Sequence, residues 1–214
     1  MASRWISADW PAPPGIVAGT TLRDSDFELP AEPRFLNQVH GAAVVRWEGI
    51  NAGESPDADA IVSAEPQSLC VVRTADCLPV LLSSRDGAEV AAIHAGWRGL
   101  VAGVIEAAVE ALQTRPADVM AWFGPAISQR AFEVGDEVRE AFCAVSADAA
   151  TAFEQNDRGR WQADLYLLGR QRLAAAGVEA VFGGGLCTHS EPENFYSYRR
   201  DGSTGRMLSF VYKP

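Results

Sequence analysis

Three histidines and four cysteines hold most of the metal-binding and nucleophilic capacity of this 214-residue sequence. Two of the histidines sit where an apolar run meets a glycine, in Val39-His40-Gly41 and in Ile93-His94-Ala95-Gly96. Cys77 lies in Thr74-Ala75-Asp76-Cys77-Leu78-Pro79, between two apolar runs. Strand ends and turns beside Gly or Pro present side chains to clefts. Imidazole and thiolate together suit zinc, and also copper. Three protein ligands leave a fourth tetrahedral position for water or substrate, the mark of a catalytic zinc. Taken singly the residues read otherwise: a strand-end His as a hydrogen-bonded structural imidazole, a Cys as a small packing residue. Cys77 with a histidine would also make the nucleophile and base of a cysteine hydrolase. The ligand separations are long, unlike those of compact structural zinc modules, so spacing leaves all these readings open.

The remaining cysteines are blander. Cys70, inside Leu69-Cys70-Val71-Val72, and Cys143, inside the patterned segment Val138–Val145, both read as core residues. No CxxC pair occurs, and the cysteines are expected to be reduced. Cys187 precedes the third histidine in Cys187-Thr188-His189-Ser190.

The elements that must position these residues follow from apolar periodicity. Short apolar runs at Ala60–Ser63, Leu69–Arg73, Pro79–Ser83 and Val90–His94, separated by turn residues such as Asp86-Gly87, predict strands. Leu100, Val101, Val104, Ile105, Ala108, Val109 and Leu112 fall at helical spacing and predict one long helix, closed by Pro116. Val119–Phe123 reads as a buried strand ended by Gly124-Pro125. Helices are expected at Gly135–Val145 and Asp164–Ala176, and strands at Glu179–Phe182 and Met207–Tyr212. Strand and helix mixed in this way predict an α/β (α+β) fold, with residues 1–214 forming a single layered domain in which helices flank a central mixed sheet.

Charge and hydropathy exclude whole classes of function. A net charge of −10 and a sequence pI near 4.8 argue against nucleic-acid binding, although a small anion can still enter a locally positive pocket. No run approaches the roughly 20 apolar residues that span a bilayer, and the N-terminal segment lacks a signal-peptide core, so no membrane association and a cytoplasmic location are expected.

Several segments carry a more specific signal. Leu36-Asn37-Gln38-Val39-His40-Gly41, Thr74-Ala75-Asp76-Cys77-Leu78-Pro79-Val80 and Ala92-Ile93-His94-Ala95-Gly96-Trp97-Arg98-Gly99 closely resemble the YfiH/laccase-domain family of bacterial proteins. The likeness continues through Gly124-Pro125-Ala126-Ile127, Phe132-Glu133-Val134-Gly135 and Asn194-Phe195-Tyr196-Ser197-Tyr198-Arg199-Arg200-Asp201, from about residue 15 onward. That family was long labelled polyphenol oxidase and is now associated with purine nucleoside phosphorylase and adenosine deaminase activity. The resemblance implies a zinc site formed by His40, Cys77 and His94. It also implies phosphorolysis of adenosine and inosine, with methylthioadenosine as a further substrate and adenosine deamination as a further activity. The partners would be a small purine nucleoside and phosphate. His189 departs from the family, which often carries another residue type there; it is read as approaching the pocket or as a surface imidazole.

On this reading Arg98, where a strand runs into the predicted helix, is the candidate phosphate anchor, because a cation at a helix start opposes the dipole unless an anion is near. Its other reading is a surface arginine paired with a carboxylate. Asn37 and Gln38 could hydrogen-bond a base or the groups behind the metal, and Asp76 could orient a zinc ligand. Arg199 and Arg200 with Tyr196 and Tyr198 either line a nucleoside pocket or form a solvated face with the tyrosines tucked inward, and Trp97 reads as core. Rival functions remain. A copper-dependent polyphenol oxidase shares the His₂Cys set, and copper enters such a site readily by exchange, but a multicopper centre needs more histidine than three residues supply. A cysteine hydrolase, linked through family relatives to editing of peptidoglycan precursors, would use Cys77 without metal. A binding module with a structural metal would need a fourth ligand, His189 or Cys187.

Overall fold

The computed structural model describes residues 4–51 and 53–214. In chain order the strands are β1 (Trp5–Ser7), β2 (Val17–Thr21), β3 (Val44–Arg46), β4 (Ala60–Ser63), β5 (Ser68–Thr74), β6 (Leu78–Ser84), β7 (Val90–Ala95), β8 (Val119–Phe123), β9 (Glu133–Val134), β10 (Phe153–Gln155), β11 (Trp161–Ala163), β12 (Ala180–Gly183) and β13 (Met207–Lys213). The helices are α1 (Trp97–Ala102), α2 (Val104–Glu110), α3 (Asp136–Val145), α4 (Leu165–Ala175) and α5 (Tyr198–Asp201).

The apolar runs of the middle of the chain assemble a six-stranded sheet of order β12-β8-β6-β7-β4-β3. Its outer pairs, β3 with β4 and β12 with β8, are parallel, and the inner pairs are antiparallel, so the sheet is mixed as expected. Every residue of β6 and of β7 is buried, which is why these strands read as continuous apolar runs rather than as alternations. Both faces of the sheet are covered. Leu78, Val80 and Leu82 point to one side, where they pack with Leu100, Val104 and Ile105 and with Leu168 and Leu173. Leu81 points to the other, against Cys70, Val72 and Val211 of a second sheet, β1-β2-β13-β5, which is antiparallel throughout. Leu69, Val71 and Phe210 line that second sheet's outer face, where Trp5 and Phe27 stack over them. A small third sheet, β10-β11-β9, lies beside the helical layer.

Three expectations need correction. The single long helix is two helices, α1 and α2, meeting at Gly103, whose φ of 89° is left-handed and closes one helix while opening the next. Apolar spacing carries across the break, so periodicity alone conceals it. Cys143 is not core but half-buried, whereas Cys70 is fully buried as its sequence suggests. Gly135 and Asp164, read as helical, are caps; the Asp164 side chain accepts a hydrogen bond from the Leu167 N–H. Among the described residues no helix is long and apolar enough to cross a membrane.

Candidate metal centre and its cavity

His94 sits near the C-terminal end of β7, opposite Pro79 of β6, and Cys77 stands one residue before β6 begins. His40 arrives from a loop and adopts a left-handed conformation, φ 61°. The Nδ1 or Nε2 of each imidazole and the Cys77 Sγ offer ligand atoms that all lie within 4.8 Å of one another. Bond lengths of about 2.0–2.3 Å place one ion among them with side-chain shifts of under roughly 1 Å. The donor set therefore fits a zinc-class ion. The His40 and His94 rings meet edge-on, with centroids 4.7 Å apart. Gly96 makes this closure possible: a Cβ there would stand 3.0 Å from Cys77 Sγ and 3.1 Å from His40 Cδ2.

A residue absent from the sequence reading organises the centre. Asp59 is fully buried, and its Oδ1 accepts hydrogen bonds from His94 Nδ1 at 2.7 Å and from the His40 N–H at 3.0 Å. Its Oδ2 accepts from the N–H groups of Gly41 (2.7 Å) and Val39 (3.2 Å). One carboxylate thus fixes the turn that carries one ligand and the ring of another, leaving His94 Nε2 for a metal. The sequence signal was faint: Asp59 is the second of two aspartates in Asp57-Ala58-Asp59-Ala60, directly ahead of a strand.

The charges are strongly coupled. Burial works against ionisation of Asp59, but hydrogen bonds from His94 and from the Gly41 and His40 backbone hold its carboxyl below the usual range. Burial likewise opposes the Cys77 thiolate, yet the His40 and His94 side chains bring its pKa down to about 6. His94, despite its burial, is raised to about 9 by Asp59 and Cys77. Without metal, these interactions favour a thiolate on Cys77 and a proton on His94.

A cavity of about 740 Å³ opens over the three ligands. Of the residues read from the sequence, Asn37, Gln38, Asp76, Arg98 and Arg199 all line it. Their roles differ from expectation in places. The Gln38 amide is spent on β5, donating to the Arg73 carbonyl and accepting from the Arg73 N–H, both at 2.8 Å. Asn37 donates to Asp57 at 2.6 Å. The Asp76 carboxylate has no hydrogen bond to His40, Cys77 or His94 among the described residues; it accepts from Thr188 Oγ1 (2.6 Å), Ser197 Oγ (3.0 Å) and the Arg199 N–H (2.6 Å), tying the Cys77 loop to the C-terminal wall. The orienting role falls to Asp59.

Arg98 is not paired with a carboxylate among the described residues; its guanidinium stands over the Trp97 ring, 4.7 Å from the centroid. Arg199 is held the same way over Phe132, at 5.2 Å, and donates to the Glu133 carbonyl. Arg200 is engaged elsewhere, with Asp201 and the carbonyls of Thr188, His189 and Phe195. Tyr196 is half-buried and bonds Asp24, whereas Tyr198 is 61% exposed and lines the cavity rather than tucking inward. Trp97 packs partly on the core and also faces the cavity. His189 and Cys187 stand outside the ligand group, the latter accepting from the Ser128 N–H, so among the described residues no fourth protein ligand closes the site. Arg73 and Arg206 were missed as cavity residues; their segments carry no local motif.

Comparison with known proteins identifies the family. Residues 19–213 match the family described as "Multi-copper polyphenol oxidoreductase laccase". The chain is 55% identical over 184 residues to "Purine nucleoside phosphorylase YfiH" of Escherichia coli K12, covering 86% of this chain and 75% of that protein. It is 43% identical over 239 residues to "Purine nucleoside phosphorylase PA4543" of Pseudomonas aeruginosa, covering 97% and 98%. Among solved structures, the Neisseria meningitidis protein NMB0706 superposes with a TM-score of 0.93 at 40% identity over 99% of both chains. YlmD from Geobacillus stearothermophilus gives 0.88 at 26% identity, covering 100% of this chain and 97% of that one. With the motifs, the His-Cys-His cluster and the fold in agreement, the chain belongs to the YfiH-type family of laccase-domain proteins.

Proposed function

We propose that the chain is a zinc-dependent purine nucleoside phosphorylase acting on adenosine and inosine, with methylthioadenosine as a further substrate and adenosine deamination as a second activity of the same site. The observation that carries this reading is the meeting, in one cavity, of a three-ligand open metal centre with arginines that have no carboxylate partner among the described residues. In a chain of net charge −10, such cations favour an anionic co-substrate over solvent. Trp97, Phe132 and Tyr198 add flat apolar surface for a purine. The curated relatives carry the name purine nucleoside phosphorylase, which supports the same assignment.

In phosphorolysis a phosphate oxygen forms a bond to ribose C1′ as the bond from C1′ to the purine nitrogen breaks, and the bonding pair leaves with the base. When bound, zinc supplies positive charge and an open coordination position. The chain's own residues do the rest. Arg98 and Arg199, braced on Trp97 and Phe132, hold negative charge in the cavity without having to be reoriented at the moment of reaction. Asp59 keeps the His94 ring in one tautomer and the His40 turn in one conformation. Asp76 holds the wall that carries Tyr198 and Arg199 against the metal side.

One observation favours a second reading. Cys77 Sγ lies within 4.8 Å of a ring nitrogen of each of two imidazoles, an arrangement that also suits a Cys–His nucleophile and would make the chain a cysteine hydrolase. The two separate on metal dependence. Adenosine and inosine are incubated with and without phosphate, using zinc-loaded and chelator-stripped protein, and the products are separated by chromatography. Free base that needs both phosphate and zinc supports phosphorolysis, and inosine from adenosine without phosphate supports deamination. No product at verified zinc occupancy sinks the purine reading, and hydrolysis that survives chelation favours the Cys–His alternative. A copper oxidase of the multicopper kind finds little support, since the sequence holds only three histidines.

A further inference from the structure

The cavity is lined by a second pair of cations, Arg73 and Arg206, to which the steps above assign no part. The register of β5 and β13 sets Arg73 opposite Leu208 and Thr74 opposite Met207. Thr74 and Met207 are buried, so Arg73 and Leu208 face outward, and alternation puts Arg206, two residues before Leu208, on that same outward side. Diagonal neighbours on one face of an antiparallel pair stand roughly 7–8 Å apart. Both arginines are exposed and both line the cavity.

Each guanidinium is braced from behind by backbone. Arg73 Nη2 donates to the Leu36 carbonyl at 3.0 Å, and its guanidinium carbon lies 5.3 Å from the centre of the Phe35 ring. Arg206 Nη1 donates to the carbonyls of Thr204 (2.7 Å) and Gly205 (2.9 Å). Among the described residues neither meets a carboxylate, whereas Arg46, Arg115, Arg172 and Arg200 each do. An anion bound between two neighbouring cations of this kind would be attracted by both. Their remaining N–H donors suit phosphoryl oxygens, which guanidinium groups bind through paired hydrogen bonds.

We propose that Arg73 and Arg206 form a subsite for a phosphoryl group, separate from Arg98 and Arg199. The identity of the ligand rests on the phosphorolysis reading. The phosphoryl group is either inorganic phosphate or the 5′-phosphate of a nucleotide.

The test uses the zinc-loaded full chain with Arg73→Gln and Arg206→Gln, singly and together. Among the described residues the Arg206 side chain hydrogen-bonds only the Thr204 and Gly205 carbonyls of its own loop, so its single variant remains informative if Arg73→Gln perturbs β5. Calorimetric binding of inorganic phosphate and of adenosine 5′-monophosphate is measured beside the KM for phosphate and for adenosine. The double variant is expected to lose tenfold or more in affinity for one phosphoryl ligand while the adenosine KM changes less than twofold. Loss for inorganic phosphate identifies the co-substrate as the occupant, and loss for the monophosphate alone identifies a nucleotide. Unchanged binding of both overturns the subsite even where phosphorolysis is intact. If the wild type binds either ligand through these arginines yet cleaves no nucleoside, the subsite stands and the phosphorolysis reading fails.

Discussion

Asp59 and His94 are joined by a 2.7 Å hydrogen bond from imidazole Nδ1 to carboxylate Oδ1, and that same oxygen accepts the backbone N–H of His40. Two ligands from distant parts of the sequence are therefore registered by one buried group. Asp59→Asn keeps the shape but replaces one acceptor oxygen with an NH₂ and removes the charge facing His94. Zinc affinity is expected to fall by about 10- to 100-fold. A competitive chelator titration reads this directly, and Asp59→Asn binding zinc as tightly as the wild type would remove Asp59 from the centre. Asp59→Ala is expected to be worse for folding, because the N–H groups of Val39, His40 and Gly41 lose their acceptor at about 1–3 kcal/mol for each that stays dry.

The charge state of Cys77 predicts a pH dependence in the metal-free protein. A lowered pKa means that the thiolate is present above about 6 and is lost as pH falls through that value. Iodoacetamide labelling of the chelator-treated protein, followed by peptide mass mapping, should show Cys77 modification with a midpoint near 6 rather than near the unperturbed ~8.5. Cys70 should remain unlabelled in the folded protein, since burial pushes its thiol far up. Zinc should protect Cys77. A midpoint above 8 would show that the histidines do not stabilise the thiolate. Because His94 is raised to about 9, zinc binding at neutral pH also has to release its proton, so affinity should weaken as pH falls.

Gly96 tests the packing of the centre independently of its chemistry. Its φ of −67° and ψ of 163° suit any residue, so Gly96→Ala brings no backbone strain. Its added methyl instead meets Cys77 Sγ at 3.0 Å and His40 Cδ2 at 3.1 Å. The variant should fold with near wild-type thermal stability when metal-free, yet lose at least tenfold in zinc affinity and in the metal-dependent gain in Tm. Wild-type metal binding would mean that the two ligands have room to retreat.

How much of this could be read from the sequence depended on whether the determinant was local. The strands of the central sheet could be read because β6 and β7 are buried on both faces and so appear as plain apolar runs. His40, Cys77 and His94 could be singled out because each lies at a strand end or turn with a distinctive neighbourhood, and resemblance then joined them. Asp59, Arg73 and Arg206 could not, since each acquires its role only through pairing with segments far away in sequence. Asp76 adjoins Cys77 in sequence, yet its hydrogen bonds run to residues 188, 197 and 199. No local pattern encodes a contact across more than a hundred residues.

Gly103 shows where local pattern points the wrong way and yields a prediction of opposite sign. Read as the interior of one long helix, Gly103→Ala should stabilise by roughly 1 kcal/mol. In the fold Gly103 has φ 89° between α1 and α2, and an L-residue there costs about 1–2 kcal/mol. A Cβ would make only ordinary contacts, 3.7 Å to Arg172 Nη2 and 3.8 Å to Glu106 Oε2, so packing does not obscure the backbone effect. The expected result is a fall in Tm of about 3–6 °C for a protein of this size, with the denaturant m-value unchanged. A rise in Tm would mean that α1 and α2 join into a continuous helix, which would also move Trp97 and Arg98 relative to the three ligands.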